Sequence, residues 1–358
     1  MVAGLAFVLF IFSTIESAAQ SASKTFLLAL SKNNHTLAIV DPVSFKVIAR
    51  VAVGSDPHEV IASADGKTAY VTNYGGGSFH ELYVIDLIGY KPLPLIDTRP
   101  LMGPHGLVFA DGKAWFTAEG SKSVGRYDPQ TAKLDWSMGT GQDRTHMLYV
   151  TPDGKNIYTT NVNAGTVSIL VNSIMAPQMP PGGNPPSGAQ APPVGPGGNP
   201  PPGGGQQRTE WVQTVVPVSK GCEGFDVSPD GKELWTVSAT DGNIFIVDIA
   251  ARIQTSKIDA QILGANRLEF TPDGKRVLIS TLRSGDLYVY DVATHKEIKR
   301  IPMGHGAAGI LVDPDGSRAF VGCTPDNYVA VIDLKKLEVS GHIDVGGGPD
   351  GLAWAVQH

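Results

Sequence analysis

The sequence predicts an all-β fold, a ring of seven four-stranded blades that the two ends of the chain close together. Asp-Gly pairs recur about every 42 residues, with one longer step, and an apolar strand ending in Asp follows most of them. A period of this length with several short strands per unit is typical of propeller blades. The last segment, 347–356, restarts the repeat and then stops. We therefore expect this C-terminal strand to join the N-terminal strands in one blade, which removes exposed sheet edges.

The elements follow the repeat in order. Apolar segments at 26–30, 37–41 and 47–53 are predicted to be three strands of blade one, which the C-terminal strand completes. Blades two to seven each begin with a short apolar strand, an Asp-Gly turn and a second apolar strand, as in the segment 59–73. Glycine supplies the positive φ of such a turn and aspartate bonds its backbone. The repeated aspartates are therefore interpreted as structural rather than chemical.

Composition limits the class of protein. The chain has 358 residues, is 42% hydrophobic and carries a net charge of -6, so a single large domain over 24–356 can bury a core. The acidic balance argues against nucleic acid as a partner. Two cysteines, Cys222 and Cys323, are predicted to be buried thiols two blades apart, too distant for a disulfide.

Two segments depart from the repeat. Residues 1–22 read as a signal peptide or apolar leader, too short in its apolar part to span a bilayer, which predicts an exported, periplasmic or extracellular protein without a transmembrane span in the mature chain. Residues 172–208 are rich in Pro and Gly and predict a disordered insertion within blade four. The insertion is either a tolerated surface loop or a docking segment for a partner.

The segment Ala69–Asn73, AYVTN, together with the PDG and VID repeats, resembles the YVTN-repeat seven-bladed β-propeller family over nearly all of the mature chain. The resemblance implies the propeller architecture. That group includes surface-layer-type and other exported proteins without a settled activity, and its distant relatives include lactonases and the haem-carrying propellers of nitrite reductases. A fold of this kind does not fix an activity.

Seven equivalent positions, each about seven residues before an Asp-Gly pair or its C-terminal counterpart, open the innermost strands. We call them the inner-strand positions. Because they point toward one axis, we expect them to meet at the channel mouth. Imidazole and carboxylate groups there predict a divalent metal, zinc, copper, iron or magnesium, with His58, His105, His146 and Glu223 as ligands. The alternative is a polar lining without metal. The seven positions are His58, His105, His146, Glu223, Asn266, Ala308 and Asp350.

Polar residues at the ends of the second strands are expected on the same face. A ligand-binding rim is predicted from Asn73, Asn161, Asn266, Arg283 and Asp350. His305 is expected either to lean over this mouth or to lie in a surface loop.

The segment 103–128 resembles one blade of the streptogramin-lyase propellers, in which a His in a Pro-His turn and a Glu after a Trp-Phe-Thr strand supply catalytic and magnesium-binding groups. His105 and Glu119 match those two positions, so the resemblance implies a catalytic role for both.

Two functions remain open. The first is an exported scaffold that binds a small-molecule ligand or an exported protein partner, with or without a metal at the mouth. The second is a metal-assisted lyase or lactonase that uses the His and Glu residues of the mouth. The sequence has no G-x-S-x-G nucleophile elbow, phosphate-binding loop or C-x-x-C-H haem-attachment motif.

Overall fold

The computed structural model describes residues 24–174 and 209–358. Across these residues, the strands form seven four-stranded antiparallel sheets. The innermost strands contact one another around a complete ring. The prediction of an all-β seven-bladed propeller is therefore confirmed.

The strands of blades one to four, from innermost to outermost, carry numbers in chain order. In blade one they are β28 (Pro349–Gln357), β1 (Lys24–Ser31), β2 (Thr36–Val40) and β3 (Val47–Ala52). In blade two they are β4 (Pro57–Ala62), β5 (Thr68–Asn73), β6 (Glu81–Asp86) and β7 (Lys91–Asp97). In blade three they are β8 (Pro104–Ala110), β9 (Lys113–Ala118), β10 (Ser123–Asp128) and β11 (Lys133–Gly139). In blade four they are β12 (Thr145–Val150), β13 (Asn156–Asn161), β14 (Thr166–Ile174) and β15 (Thr209–Pro217).

Blades five to seven repeat the same order. In blade five the strands are β16 (Cys222–Val227), β17 (Glu233–Ser238), β18 (Ile244–Asp248) and β19 (Ile253–Ile258). In blade six they are β20 (Ala265–Phe270), β21 (Arg276–Thr281), β22 (Asp286–Asp291) and β23 (Lys296–Pro302). In blade seven they are β24 (Ile310–Val312), β25 (Arg318–Cys323), β26 (Tyr328–Asp333) and β27 (Glu338–Ile343).

Burial follows the position of a strand within its blade. The second strands, such as β9 and β17, bury five consecutive residues, because neighbouring blades cover both of their faces. Trp115 and Trp235, in these two strands, are fully buried. The outermost strand β11 instead alternates between exposed and partly buried residues. The apolar runs of the sequence thus correspond to the inner strands that pack blade against blade.

The ring closes as predicted. β28 pairs with β1 from Lys24↔Gln357 to Ala29↔Leu352 before a bulge. The two ends of the described chain are therefore paired with each other in one sheet, which closes the ring.

The repeated aspartates serve the turns. In blade two, Asp65 accepts hydrogen bonds from the backbone N–H of Lys67 (3.1 Å) and the hydroxyl of Ser63 (2.6 Å), and Gly66 has a φ of 67°. The aspartates that end the third strands cap the next turn, as Asp86 does by accepting from the N–H of Ile88 at 2.9 Å. Their interpretation as structural groups agrees with these contacts.

The longer step of the repeat falls between β14 and β15. These strands pair in one sheet, with Asn172 opposite Trp211 and Ile174 opposite Thr209. Asn172–Ile174, which the sequence assigns to the insertion, thus belong to the described strand β14. The rest of the predicted insertion, and the predicted leader at 1–22, lie outside the described residues.

The two cysteines are free and buried. Burial raises the pKa of each thiol, Cys222 and Cys323, to about 12. Both therefore act as small buried side chains. Among the residues that the structure describes, no helix is long and apolar enough to cross a membrane.

Candidate metal centre at the channel mouth

A cavity of about 380 Å³ lies at the end of the ring where the innermost strands begin. Its lining includes all seven inner-strand positions. In six blades the residue is the second of its innermost strand, and in blade seven it lies two residues before β24. The period in the sequence therefore places these side chains around one space. They are His58, His105, His146, Glu223, Asn266, Ala308 and Asp350.

A hydroxyl group from the preceding blade holds the backbone at several of these positions. Thr72, near the end of β5, donates to the carbonyl of His105 at 2.8 Å, and Thr117, in β9, donates to the carbonyl of His146 at 2.5 Å. Each of these blades thus helps to fix the backbone position of the residue through which the next blade lines the cavity. Two further bonds of this kind join Thr160 to the carbonyl of Glu223 (2.7 Å) and Ser280 to that of Ala308 (2.6 Å).

The three histidines form a row along blades two to four. The ring centroids of His58 and His105 are 4.7 Å apart, and those of His105 and His146 are 4.0 Å apart. Gly106 permits this approach, because a Cβ there would lie 2.6 Å from the carbonyl oxygen of His146. The Gly that follows His105 is therefore part of the construction of the site.

Glu119 completes the cluster from the short 3-10 turn Glu119–Ser121 that follows β9. The Tyr74 hydroxyl donates to its Oε2 at 2.5 Å, and the His146 Nδ1 contacts its Oε1. The Nε of Arg144 lies 3.6 Å from the same Oε1. Burial is the largest single influence and opposes the charge, but His146, Tyr74 and Arg144 together outweigh it and hold the pKa of Glu119 below its usual value. Glu119 is therefore a buried carboxylate.

His105, Glu119 and His146 could together hold a metal ion. Each is buried, and one ligand atom from each lies within 4.8 Å of the others. The Nδ1 atom of His105 is buried and has no hydrogen-bond partner among the described residues. Burial lowers the pKa of His105 well below its usual value, and the neighbouring His146 and His58 add to the effect. A neutral imidazole with a free nitrogen is the form that binds a metal.

Two imidazoles and one carboxylate suit a borderline transition metal. Catalytic zinc sites commonly use three protein ligands of this kind and keep an open position, and iron or copper also accept imidazole. Magnesium prefers an all-oxygen set. The donor set therefore fits zinc, iron or copper better than magnesium.

His58 stands beside this cluster with partners of its own. Its Nε2 lies 3.1 Å from Asp56 Oδ1 and 2.8 Å from the Nζ of Lys32, and its Nδ1 lies 3.7 Å from Asp350 Oδ2. Burial lowers the pKa of His58, against the opposing effect of Asp350. Of the predicted metal ligands, His58 thus has competing contacts that His105 lacks.

Glu223, the fourth predicted ligand, is also held by protein groups. The Nη2 of Arg144 lies 3.1 Å from its Oε1, and Asn266 Nδ2 donates to its Oε2 at 3.0 Å. Arg144 thereby bridges Glu223 and Glu119. The structure places Glu223 in the cavity wall, outside the cluster of His105, Glu119 and His146.

An ion pair spans the channel below the cavity. Arg267 Nη2, from β20 of blade six, contacts Glu59 Oε1, from β4 of blade two. Their side chains are only 11% and 12% exposed. Because these blades lie on opposite sides of the ring, the pair crosses the channel, and its Arg267 lines the cavity; we call this pair the floor of the cavity.

The predicted rim residues divide into two groups. Asn266 and Asp350 line the cavity, whereas Asn73, Asn161 and Arg283 do not. Asn73 Oδ1 accepts from the backbone N–H of Asp56 at 3.1 Å, and Asn161 is fully buried in contact with Thr145 at 3.0 Å. The Asn73 amide thus holds backbone and the Asn161 amide holds neighbouring hydroxyl groups, while Arg283 is exposed.

His305 takes the surface alternative. Its side chain is 85% exposed and bonds Asp326. Four charged side chains at the cavity were not predicted from the sequence. They are Lys32, Arg144, Arg267 and Glu59, which pairs with Arg267. Arg267 and Glu59 each follow an inner-strand position directly, which is a signal that the repeat itself could have supplied.

The charges around the cavity are unbalanced. Lys32, Arg144 and Arg267 are cationic, and they pair with the carboxylates of five residues. Counting the imidazoles as neutral and all five carboxyl groups as ionised, this neighbourhood carries two more negative than positive charges. A divalent cation would neutralise it. The five carboxylates belong to Asp56, Glu59, Glu119, Glu223 and Asp350.

Comparison with known proteins supports the architecture. No protein-family model matches the chain, and no curated protein matches it. A functionally unknown protein from Desulfotomaculum acetoxidans has a similar structure, with a TM-score of 0.68 and 12% identity over 93% of this chain and 99% of that chain. A proposed 6-phosphogluconolactonase from Bacteroides uniformis gives a TM-score of 0.70 and 14% identity over 92% and 99%. The hydrazine synthase of Kuenenia stuttgartiensis gives 0.64 and 16% over 83% and 89%.

At these identities the similarity concerns the fold alone. The seven-bladed architecture that the YVTN resemblance implies is confirmed, while membership of that family stays a prediction.

Proposed function

We propose that this protein is a ligand-binding propeller that holds a divalent transition metal at its channel mouth, on His105, Glu119 and His146. The cavity above the metal would admit a small molecule to the open coordination position. The observation that carries the proposal is the convergence of these three side chains, with ligand atoms within 4.8 Å of one another.

Two further features support a metal there. The His105 Nδ1 is buried without a partner among the described residues, which costs about 1–3 kcal/mol if nothing binds it. The excess of two negative charges around the cavity is also unfavourable where the dielectric is low, and a divalent ion relieves it.

A metal-assisted lyase or lactonase is the second candidate. It is favoured by the open cavity beside the metal cluster and by the fold that the chain shares with proposed 6-phosphogluconolactonases from Bacteroides uniformis and Bacteroides fragilis. A bound metal would polarise a carbonyl oxygen of the substrate. His105 and Glu119, the pair that the lyase resemblance implies, would then serve as its ligands, and Arg144 and Lys32 would face the substrate.

We also propose that the chain is exported and belongs with the YVTN-repeat propellers. The apolar segment at 1–22 and the AYVTN repeat support this. N-terminal sequencing of the protein recovered from the periplasm or medium of an expressing bacterium tests export. A start near Gln20 supports it, whereas an intact Met1 in the cytoplasm refutes it.

The metal is tested by elemental analysis of untagged protein after dialysis against zinc, beside a His105→Ala/His146→Ala variant. We expect about one zinc per parent chain. The double variant should lose at least a hundredfold in zinc affinity, because it removes two of three ligands.

Two single variants serve as controls. His305→Ala removes an exposed imidazole outside the cavity and should leave the zinc content unchanged. His58→Ala should also keep zinc, because His58 already contacts Asp56 and Lys32. Parent protein that takes up no zinc, iron or copper refutes the proposal. The second candidate requires in addition that zinc-loaded parent, and not the double variant, hydrolyses a probe such as δ-gluconolactone.

A further inference from the structure

The floor of the cavity contains a cation with unused hydrogen-bonding capacity. Arg267 lines the cavity, and its side chain is 11% exposed. A guanidinium group carries five N–H donors. Within the described part of the chain, Arg267 donates to Glu59 Oε1 and, at 3.4 Å, to the carbonyl of Asn266. No other hydrogen bond joins its guanidinium group to the described protein, although the charges of Asp350 and Glu223 act on it.

The partner of Arg267 does not fill this capacity. Glu59 reaches it from the opposite side of the ring through one short contact to one carboxylate oxygen. A guanidinium group binds a planar oxyanion best through two parallel N–H bonds. An oxyanion that enters the cavity could therefore engage the donors that Glu59 leaves free, or compete with Glu59 for the same ones.

A bound metal would change the net charge around the cavity and so determine whether an anion can bind there. Without it, the surrounding carboxylates exceed the cations by two charges and repel an anion. With a divalent ion on His105, Glu119 and His146, the sum is zero and the repulsion disappears. Arg144 would also favour an anion, since its Nε lies 3.6 Å from Glu119 Oε1 and its charge would be less well paired if Glu119 held the metal.

We infer that the ligand of this cavity is a small oxyanion, a carboxylate or a phosphate ester, that binds Arg267 at the floor while a second oxygen takes the open position of the metal. This rests on the proposed function. It makes Arg267 the residue that selects for charge, and it couples anion and metal binding, so that each tightens the other by the same factor.

Calorimetric titration of the zinc-loaded protein tests this. Glycolate and its neutral amide, glycolamide, offer the same hydroxyl oxygen and differ in charge, and methyl phosphate distinguishes a phosphate ester from a carboxylate. We expect glycolate or methyl phosphate to bind at least tenfold more tightly than glycolamide, and at least tenfold more tightly with zinc than without it. Equal affinity for glycolate and glycolamide, or no binding of either anion, overturns the inference.

Variants of the Glu59–Arg267 ion pair distinguish recognition of the anion from a purely structural role of the pair. Glu59→Gln removes the competing carboxylate and should tighten glycolate binding at least threefold. Arg267→Met combined with Glu59→Gln replaces the pair by neutral groups of similar size, which commonly preserves folding. This double variant should keep its zinc but lose the preference for glycolate over glycolamide.

The failures are distinguishable. If Glu59→Gln weakens glycolate binding, or if the double variant keeps the preference, the ion pair only supports the structure and the inference is wrong. If zinc binds but glycolate is not preferred over glycolamide, the inference of an oxyanion ligand is wrong and the proposed metal site is unaffected. A parent that binds no metal overturns both.

Discussion

The polar side chains of blades three and four contact different kinds of partner from those of blades five and six. In blades five and six, partly buried carboxyl groups accept hydrogen bonds from the backbone of the next blade. Asp226 accepts from the N–H of Phe270 at 2.9 Å, and Glu269 accepts from the N–H of Val312 at 3.0 Å. In blades three and four, His105, Glu119 and His146 instead converge on one another.

The difference shows how one repeat yields two outcomes. A polar side chain that reaches the neighbouring backbone is satisfied by the protein and joins two blades. A side chain that lines the cavity can keep an atom without a partner in the described part of the chain, as His105 does at its Nδ1. Burial of an unpaired polar group is costly. Such an atom therefore indicates a ligand more strongly than residue type alone does.

The largest expected effect concerns blades five and six, whose carboxyl groups are bonded to the backbone of the next blade. Burial, with the neighbouring charge of Asp226, raises the pKa of Glu269 to about 8, against about 4.3 for an unfolded chain. The folded state thus prefers the protonated acid, so its contribution to stability is complete at acid pH and is lost as the pH rises toward 8. Within that window the loss is about 1.4 kcal/mol per pH unit.

Glu269→Gln removes this titration. Urea unfolding at several pH values between 5 and 8 should show a flatter stability profile for Glu269→Gln than for the parent, by a few kcal/mol in total. Glu338→Gln, at a side chain that is 61% exposed, is the control and should follow the parent. Parallel profiles for all three proteins would contradict this account of blades five and six.

The next effect tests the close approach of blades three and four. Gly106→Ala places a Cβ 2.6 Å from the carbonyl oxygen of His146, so the two strands must separate. We expect a loss of about 1–3 kcal/mol in the free energy of unfolding. Zinc affinity should also fall about tenfold, since the row of imidazoles widens.

Gly139→Ala is the matched control. The nearest atom to a Cβ at Gly139 is the Ser123 hydroxyl at 4.0 Å, so this substitution should change neither stability nor zinc binding appreciably. Unchanged zinc affinity in Gly106→Ala would mean that the spacing of blades three and four does not set the site.

The smallest effect compares the same substitution on the two sides. Thr117 donates to the carbonyl of His146 and accepts from the N–H of Gly106 at 2.8 Å, whereas Thr236 donates to the carbonyl of Gly224 at 2.8 Å. Each change to Val leaves buried polar groups unpaired and should cost about 1–2 kcal/mol.

Zinc binding separates the two variants. Of the two, Thr117→Val alone should weaken it, by a few fold, because Thr117 fixes the backbone of the proposed ligand His146 and Thr236 contacts no proposed ligand. Equal zinc affinities, measured by competition with a chelating dye, would show that the hydroxyl contributes to stability alone.

Much of the fold and part of the site could be predicted from the sequence, since both follow from the repeat. The position of His105 within its repeat fixes its blade, its strand and the direction of its side chain. The pairing of Glu59 with Arg267 could not be predicted in this way, because the two are 208 residues apart and meet across the ring.

Asn73 illustrates the second limit. Its place at the end of β5 suggested the mouth, but its side chain turns back to the N–H of Asp56. Gly54 leaves the room for this, since a Cβ there would lie 2.0 Å from Asn73 Oδ1. The end of a strand fixes where a residue lies, whereas local packing decides where its amide points.

The hydroxyl bonds from Thr72 and Thr117 to the next blade bear on how such a site can be inherited. His105 and His146 are encoded in blades three and four, but their backbone is held by side chains encoded in blades two and three. A duplicated or exchanged blade would bring its own histidine and leave behind the residue that positions it. The evolutionary module of this mouth is therefore the junction between two blades, and ligand groups should be gained or lost together with the hydroxyl one blade earlier.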